Sequence, residues 1–127
     1  FQKTAQCLDN KRLGKQRVEA RQIISTLEGK SNGWRNHPAV KMWKGYEDCL
    51  KMYYNVICEE WIGRGYKQNM ELYPEIFSYK KPYWLGKKKF HISHQSNLIR
   101  KKSEHYSKFF RNVPNDLPYF WPEGKRN

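Results

Sequence analysis

The residues best suited to chemistry lie close together near the start of the sequence. In "LDNKRLGKQRVEA", residues 8–20, one glutamate, Glu19, sits among Lys11, Arg12, Lys15 and Arg17, with Arg21 just beyond and only Asp9 sharing the negative charge. Arg12, Gln16 and Glu19 are spaced i, i+4, i+7 and share a helix face, and Lys15 stands one turn before Glu19 on the neighbouring edge. Two readings are open at this point. Lys15 and Glu19 can form an ordinary surface ion pair, worth about 0.3–0.5 kcal/mol. Alternatively, a carboxylate ringed by cations can steady a developing positive charge or move a proton.

A second constellation is "SHQSNLIRK", residues 93–101, where Ser93, His94, Gln95, Ser96, Asn97 and Arg100 form a dense set of hydrogen-bonding side chains. That composition suits contacts to phosphates and base edges better than a core. His91 and His94 have HxxH spacing, but no third ligand stands at metal-site spacing, so no metal and no other cofactor is expected. There is no P-loop, no GxSxG and no HExxH, and no set of paired carboxylates that would serve a two-metal nuclease. Cys7, Cys49 and Cys58 are odd in number and lack CxxC spacing, which favours buried thiols over a disulfide framework and points to a reducing, cytoplasmic compartment.

The elements that must position these groups read as helices. Leu13, Ala20, Ile24 and Leu27 recur at helical spacing and predict a first helix over residues 10–28, with Asp9 as N-cap and a stop at Gly29 and the turn at residues 31–33. Gly14 inside it is costly by about 1 kcal/mol against Ala and hints at the close approach of another backbone or a phosphate. Ala39, Trp43, Tyr46, Leu50, Tyr53, Ile57 and Trp61 recur at steps of three and four. They predict one long second helix of about 25 residues from Pro38 to the Gly63–Gly65 pair, with the rings as core rather than as a platform for bases. A connector follows, with a short helical turn expected at residues 70–77 and an exposed Lys87–Lys89 run. A third helix is expected from Ser93, acting as its cap, and a short one over residues 104–110. The segment "VPNDLPYFWP", residues 113–122, reads as an extended aromatic and proline-rich C-terminal strap. No stretch alternates like a strand, so the expectation is all-α: a single compact domain over residues 1–127, with three main helices, short helices and the strap.

The totals agree with a small folded domain that meets a polyanion. The 127 residues carry 25 Lys plus Arg against 12 Asp plus Glu, and the aromatic share of 16% can build a core despite a hydrophobic share of 38%. Residues 1–35 are net +5, residues 36–65 are neutral and residues 66–127 are net +8. A basic surface assembled from both flanks around a neutral helix suits nucleic acid. There is no apolar run long enough for a membrane span and no signal peptide.

Together, "LDNKRLGKQRVEA", "GWRNHPAVKMW", "ICEEWIGRGY", "SHQSNLIRK" and "DLPYFWP" resemble the bacterial and viral branch of the pyrimidine-dimer DNA glycosylase family, which includes phage endonuclease V. The resemblance runs from Ala5 to Pro122. It implies an all-α DNA repair glycosylase with abasic-site lyase activity on double-stranded DNA. The family's N-terminal amine attacks C1′ of the damaged nucleotide, the base leaves, and the resulting imine permits strand scission by β-elimination. Such an amine suits the task, because an α-amine has a reference pKa of about 7.7–8.0 against about 10.4 for lysine.

Glu19 matches the family's catalytic glutamate, and this resemblance favours the second reading of that residue. Arg12, Lys15, Gln16, Arg17 and Arg21 would contact DNA, joined by Arg35 and His37 of "WRNHP" and by His94, Asn97 and Arg100 of "SHQSNLIR". Because the sequence opens on Phe1 rather than Met, residues ahead of Phe1 are expected, and the reactive amine is not assigned to Phe1. A monomer is expected. The alternatives are a glycosylase for another modified base and a non-catalytic basic helical module that holds DNA by its phosphates.

Overall fold

The computed structural model describes residues 1–31, 35–110 and 113–122. Among them there are helices of several lengths and no strand. The contacts divide into two compact units, one over Phe1–Pro82 and one over Tyr83–Pro122.

The first unit is built on four helices: α1 (Gln2–Cys7), α2 (Asn10–Leu27), α3 (Pro38–Trp43) and α4 (Glu47–Gly63). Packing of α2 on α4 dominates, with α1 also on α4 and α3 on α2. Leu13, Ala20 and Ile24 of α2 are fully buried against the Cys49, Leu50, Tyr54, Ile57 and Cys58 layer of α4, while Leu27 is only half-buried. At about 25 cal/mol per Å² of apolar surface, this layer is the chief stabilising element of the unit.

Asp9 does occupy the N-cap position of α2, yet its buried carboxylate makes no cap hydrogen bond and pairs instead with Arg12 at 3.3 Å. The helix ends at Leu27 and Gly29 follows with φ of +77°, a left-handed conformation that glycine adopts without strain. Of the turn expected at residues 31–33, Asn32 and Gly33 lie outside the described residues.

The single long helix expected from Pro38 is two helices. Pro38 opens α3 as anticipated, but the chain leaves the helix after Trp43 and re-enters it at Glu47. Gly45 sits between them at φ of +88°, and its N–H donates to Glu47 Oε1 at 3.2 Å. The three-and-four periodicity runs across this break because Trp43, Tyr46, Leu50 and Ile57 all remain buried. Apolar spacing reports which residues face the core and cannot by itself report a turn that keeps them there.

Residues 66–82 are irregular, and the helical turn expected at residues 70–77 is absent. Polar side chains fasten this segment to the helices. Tyr54 Oη donates to the Glu71 carbonyl at 3.0 Å. Asn55 binds both the N–H and the carbonyl of Tyr73 at 2.9 Å. Backbone groups satisfied from outside in this way need no helix.

In the second unit, α5 (Lys88–Lys101) packs on α6 (Ser103–Tyr106). The third helix begins five residues earlier than expected, so Ser93 is interior and buried, and Lys87 is the N-cap. The lysines that read as a solvated run are good helix formers and supply the first turn. The short helix expected at residues 104–110 is the single turn α6, shifted to start at Ser103.

Within the protein, Gly14 is approached by a side chain and not by another backbone. A Cβ built there would lie 2.9 Å from two ring atoms of Trp61, so the glycine makes room for an indole on α4. Alanine gains about 1 kcal/mol in helix propensity but overpacks at a cost of about 1–3 kcal/mol. Gly14→Ala is therefore expected to lower stability by about 1 kcal/mol, read as a reduced urea midpoint. A raised midpoint would mean that the Trp61 ring yields freely.

Candidate active site

The two edges of α2 do different work. At 100° per residue Arg12, Gln16 and Glu19 fall within one narrow arc, and Arg17 and Arg21 fall on the far side of the buried Leu13–Ala20–Ile24 stripe.

On the first edge, the Glu19 carboxylate is 31% exposed and lies 3.7 Å from Lys15 Nζ, itself 71% exposed. The same edge approaches Tyr53 of α4. The Gln16 side chain hydrogen-bonds the Tyr53 hydroxyl, and Glu19 and Cys7 act on it electrostatically. Burial pushes the Tyr53 phenol well above its ordinary value, and the negative charge of Glu19 adds to that. Tyr53 therefore stays a neutral hydrogen-bonding group. Its ring meets Phe1 edge-on at 5.2 Å and Trp43 at 5.9 Å. The Phe1 end of α1 and the Glu19 edge of α2 thus share one tyrosine.

Two contacts hold α1 there. Arg64, at the C-terminal end of α4, donates to the Ala5 and Gln6 carbonyls at 3.1 and 3.2 Å and to Asn10 Oδ1 at 2.9 Å, while its Nε pairs with Glu60 at 3.0 Å. A guanidinium on the last carbonyls of a helix satisfies acceptors that have no partner within it. Sequence reading passed over Arg64. The "RGY" that ends the long apolar stripe was its signal, but the target carbonyls become neighbours only on folding.

On the second edge, Arg17 lies over the Trp61 ring at 4.9 Å and donates to Gln68 Oε1 at 3.0 Å. Arg21 donates to the Glu71 carbonyl at 3.2 Å and lies 5.5 Å from the centre of the Tyr73 ring. These two guanidiniums hold residues 66–73. Trp61 Nε1 donates to the Lys67 carbonyl, and Tyr66 stacks on its ring at 4.3 Å.

Of the remaining residues singled out, Arg35 is exposed in the turn before α3. His37 is the N-cap of α3, where Nδ1 accepts from the Ala39 N–H at 3.0 Å. In the second unit, Asn97 is buried and donates to the Ser93 carbonyl at 2.8 Å and to the Leu117 carbonyl at 3.3 Å. Arg100 donates to Asn97 Oδ1 and to the Leu117 carbonyl. Ser96 Oγ and Ser93 Oγ accept from the N–H groups of Leu117 and Phe120. The cluster that read as base-edge contacts is thus engaged with the backbone of residues 117–120.

His94 sits among the rings of Phe90, Tyr119 and Trp121 at 4.4–5.1 Å. Its Nε2 is buried with no partner. Burial pulls its pKa down to about 4, with a hydrogen bond to the Phe120 backbone acting the other way. Burial raises all three thiols, Cys49 to about 11, so none is a reactive thiolate near neutrality. Among the described residues no group of three or more His, Cys, Asp or Glu gathers to hold a metal, and no helix is long and apolar enough to cross a membrane.

A family model for pyrimidine dimer DNA glycosylase matches residues 2–74. The chain belongs to that family. The match takes in α1 to α4 and the start of the irregular segment, and so includes both edges of α2, Tyr53 and Arg64. No curated protein and no solved structure matches the sequence. The glycosylase family assignment accounts for the basic charge and supports DNA as the partner at family level.

Because folded His94 titrates near 4 and an ordinary histidine near 6.5, the unfolded chain binds the extra proton between those values. Stability contributed by neutral His94 is thus present above about pH 6.5 and lost as pH falls towards 4. The loss is on the order of 2 kcal/mol after allowing for partial exposure. Urea midpoints at pH 7 and pH 4.5 should show this fall in the wild type and a smaller one in His94→Phe.

Proposed function

We propose that this protein is a DNA repair glycosylase with abasic-site lyase activity, acting on pyrimidine dimers in duplex DNA. An N-terminal amine serves as nucleophile and Glu19 as the catalytic carboxylate. The observation that carries the reading is the position of Glu19 inside the matched residues 2–74, on the edge of α2 whose Gln16 hydrogen-bonds Tyr53, the ring that Phe1 meets. In this reading the amine nitrogen bonds to C1′ as the glycosidic bond breaks and the base departs with that electron pair. The new amine then loses a proton and the sugar ring opens at C1′–O4′, O4′ leaving with its electron pair and taking up a proton. The imine left on the sugar is cationic, and a carboxylate beside it stabilises it. Gln16 and the neutral Tyr53 hydroxyl orient the groups around Glu19.

Arg12 and Lys15 stand on the Glu19 edge and are assigned to DNA phosphates. Arg17 and Arg21, on the other edge, shape residues 66–73, which bring Tyr66 and Lys67 to the surface. Arg35 and His37 before α3 extend the phosphate contacts. The monomer and a cytoplasmic location belong to the same proposal.

Borohydride reduction of protein bearing its authentic N-terminus on abasic duplex DNA tests the chemistry. A covalent adduct is expected, and Glu19→Gln should form it at least about a hundredfold more slowly while binding the duplex as tightly. Failure of the wild type to form an adduct would favour a module that only grips phosphates. Lys15→Ala should flatten the salt dependence of binding by about one unit of slope, and an unchanged slope removes Lys15 from the interface.

A further inference from the structure

The unit Tyr83–Pro122 lies outside the matched residues 2–74, yet its sequence carries 8 Lys plus Arg against 2 Asp plus Glu. Between α5 and residues 117–120 runs a groove of about 560 Å³, with Ile92, Leu117, Tyr119 and Phe120 among its lining and Lys88 and Lys89 at its edge. That volume is ample for a planar heterocycle.

The groove is held open by the side chains of α5. Ser93, Ser96, Asn97 and Arg100 fix the backbone at Leu117 and Phe120. Tyr119 is 39% exposed, and its ring is held by its neighbours. It stacks on Trp121 at 5.2 Å and meets His94 at 5.1 Å, and its hydroxyl accepts from Lys101 Nζ at 3.0 Å. Lys89 Nζ lies over the Phe120 ring at 4.7 Å, so a cation already marks the aromatic wall.

An apolar trough with a fixed, exposed ring and lysines along its edge matches a ligand with flat apolar faces and negative charge on a connecting backbone. We propose that this groove binds an unstacked stretch of single-stranded DNA, with a base on Tyr119 and phosphates on Lys88 and Lys89. Ring stacking accepts any base, and lysine ammonium groups accept phosphate without regard to sequence. The choice of DNA over another polyanion rests on the reading under the previous heading. The groove is lined by residues of its own unit and needs none of that chemistry.

The test is fluorescence anisotropy of the full-length protein with a labelled ten-nucleotide oligothymidylate and with a strand of the same length built from tetrahydrofuran abasic units, which cannot form an imine. Wild type should bind the thymidylate about tenfold more tightly. Tyr119→Ala should remove that preference while leaving the abasic strand unaffected, and Tyr119→Phe should retain it. If Tyr119→Ala does not fold, Ile92→Trp, which fills the groove, should have the same effect. Lys88→Gln with Lys89→Gln should weaken both ligands and lower the salt slope by one to two units. Equal binding of the two strands by the wild type, or displacement of thymidylate by polyglutamate of matched charge, would overturn the proposal. Thymidylate binding with no borohydride adduct sinks only the catalytic reading, and the reverse pair of results sinks only this one.

Discussion

The first unit depends on the closeness with which α2 and α4 pack. An indole can lie across α2 only where one residue has no side chain, and Gly14 provides that gap beneath Trp61. Once seated, the same indole stacks on Tyr66, receives Arg17 on its ring and donates to the Lys67 carbonyl. The contact that sets the helix spacing is thus also the contact that starts the irregular segment on its course. Tyr54 and Asn55 of α4 fasten the rest of it through backbone groups at Glu71 and Tyr73.

That packing divides the cations of α2 between two tasks. A helix buried along one stripe exposes two flanks, and residues five apart, such as Gln16 and Arg21, emerge on opposite ones. Arg17 and Arg21 are engaged with residues 68–71, whereas Glu19 shares its flank with Lys15, Gln16 and, across the interface, Tyr53. The carboxylate therefore has fewer cationic neighbours than its sequence surroundings suggest. Glu19 pairs with Lys15 at 3.7 Å, the ordinary ion pair of the first sequence reading, and its charge is felt at Tyr53, whose ring meets Phe1. A long, exposed ion pair of this kind is weak and yields readily to a stronger partner.

In the second unit the same residue types have a different outcome. Serine, asparagine and arginine on α5 looked suited to a nucleic acid because they are short or charged donors and acceptors in a basic stretch. Residues 117–120 have no helix or strand to satisfy their own N–H and carbonyl groups, and Ser93, Ser96, Asn97 and Arg100 satisfy them. What they leave at the surface is the aromatic side chain of Tyr119. His94 has become part of that aromatic cluster, and its depressed pKa follows from exclusion of water.

Sequence by itself determined the helical class, the apolar stripes of α2 and α4, the helix start at Pro38 and the helix stop at Gly29, and the family, because each rests on local spacing or on a motif that does not need the fold to be recognised. It did not determine the break at Gly45, the start of α5 at Lys88 or the irregular course of residues 66–82. Those depend on which backbone groups find partners far away along the chain. Only the tertiary structure decided which partners engage the cations on each flank of α2, that Arg64 holds the end of α1, and that Tyr53 receives both Gln16 and the Phe1 ring. Charge and hydrogen-bonding capacity are properties of a side chain, but the partner that consumes them is set by distance in space, and that distance exists only after the helices have packed.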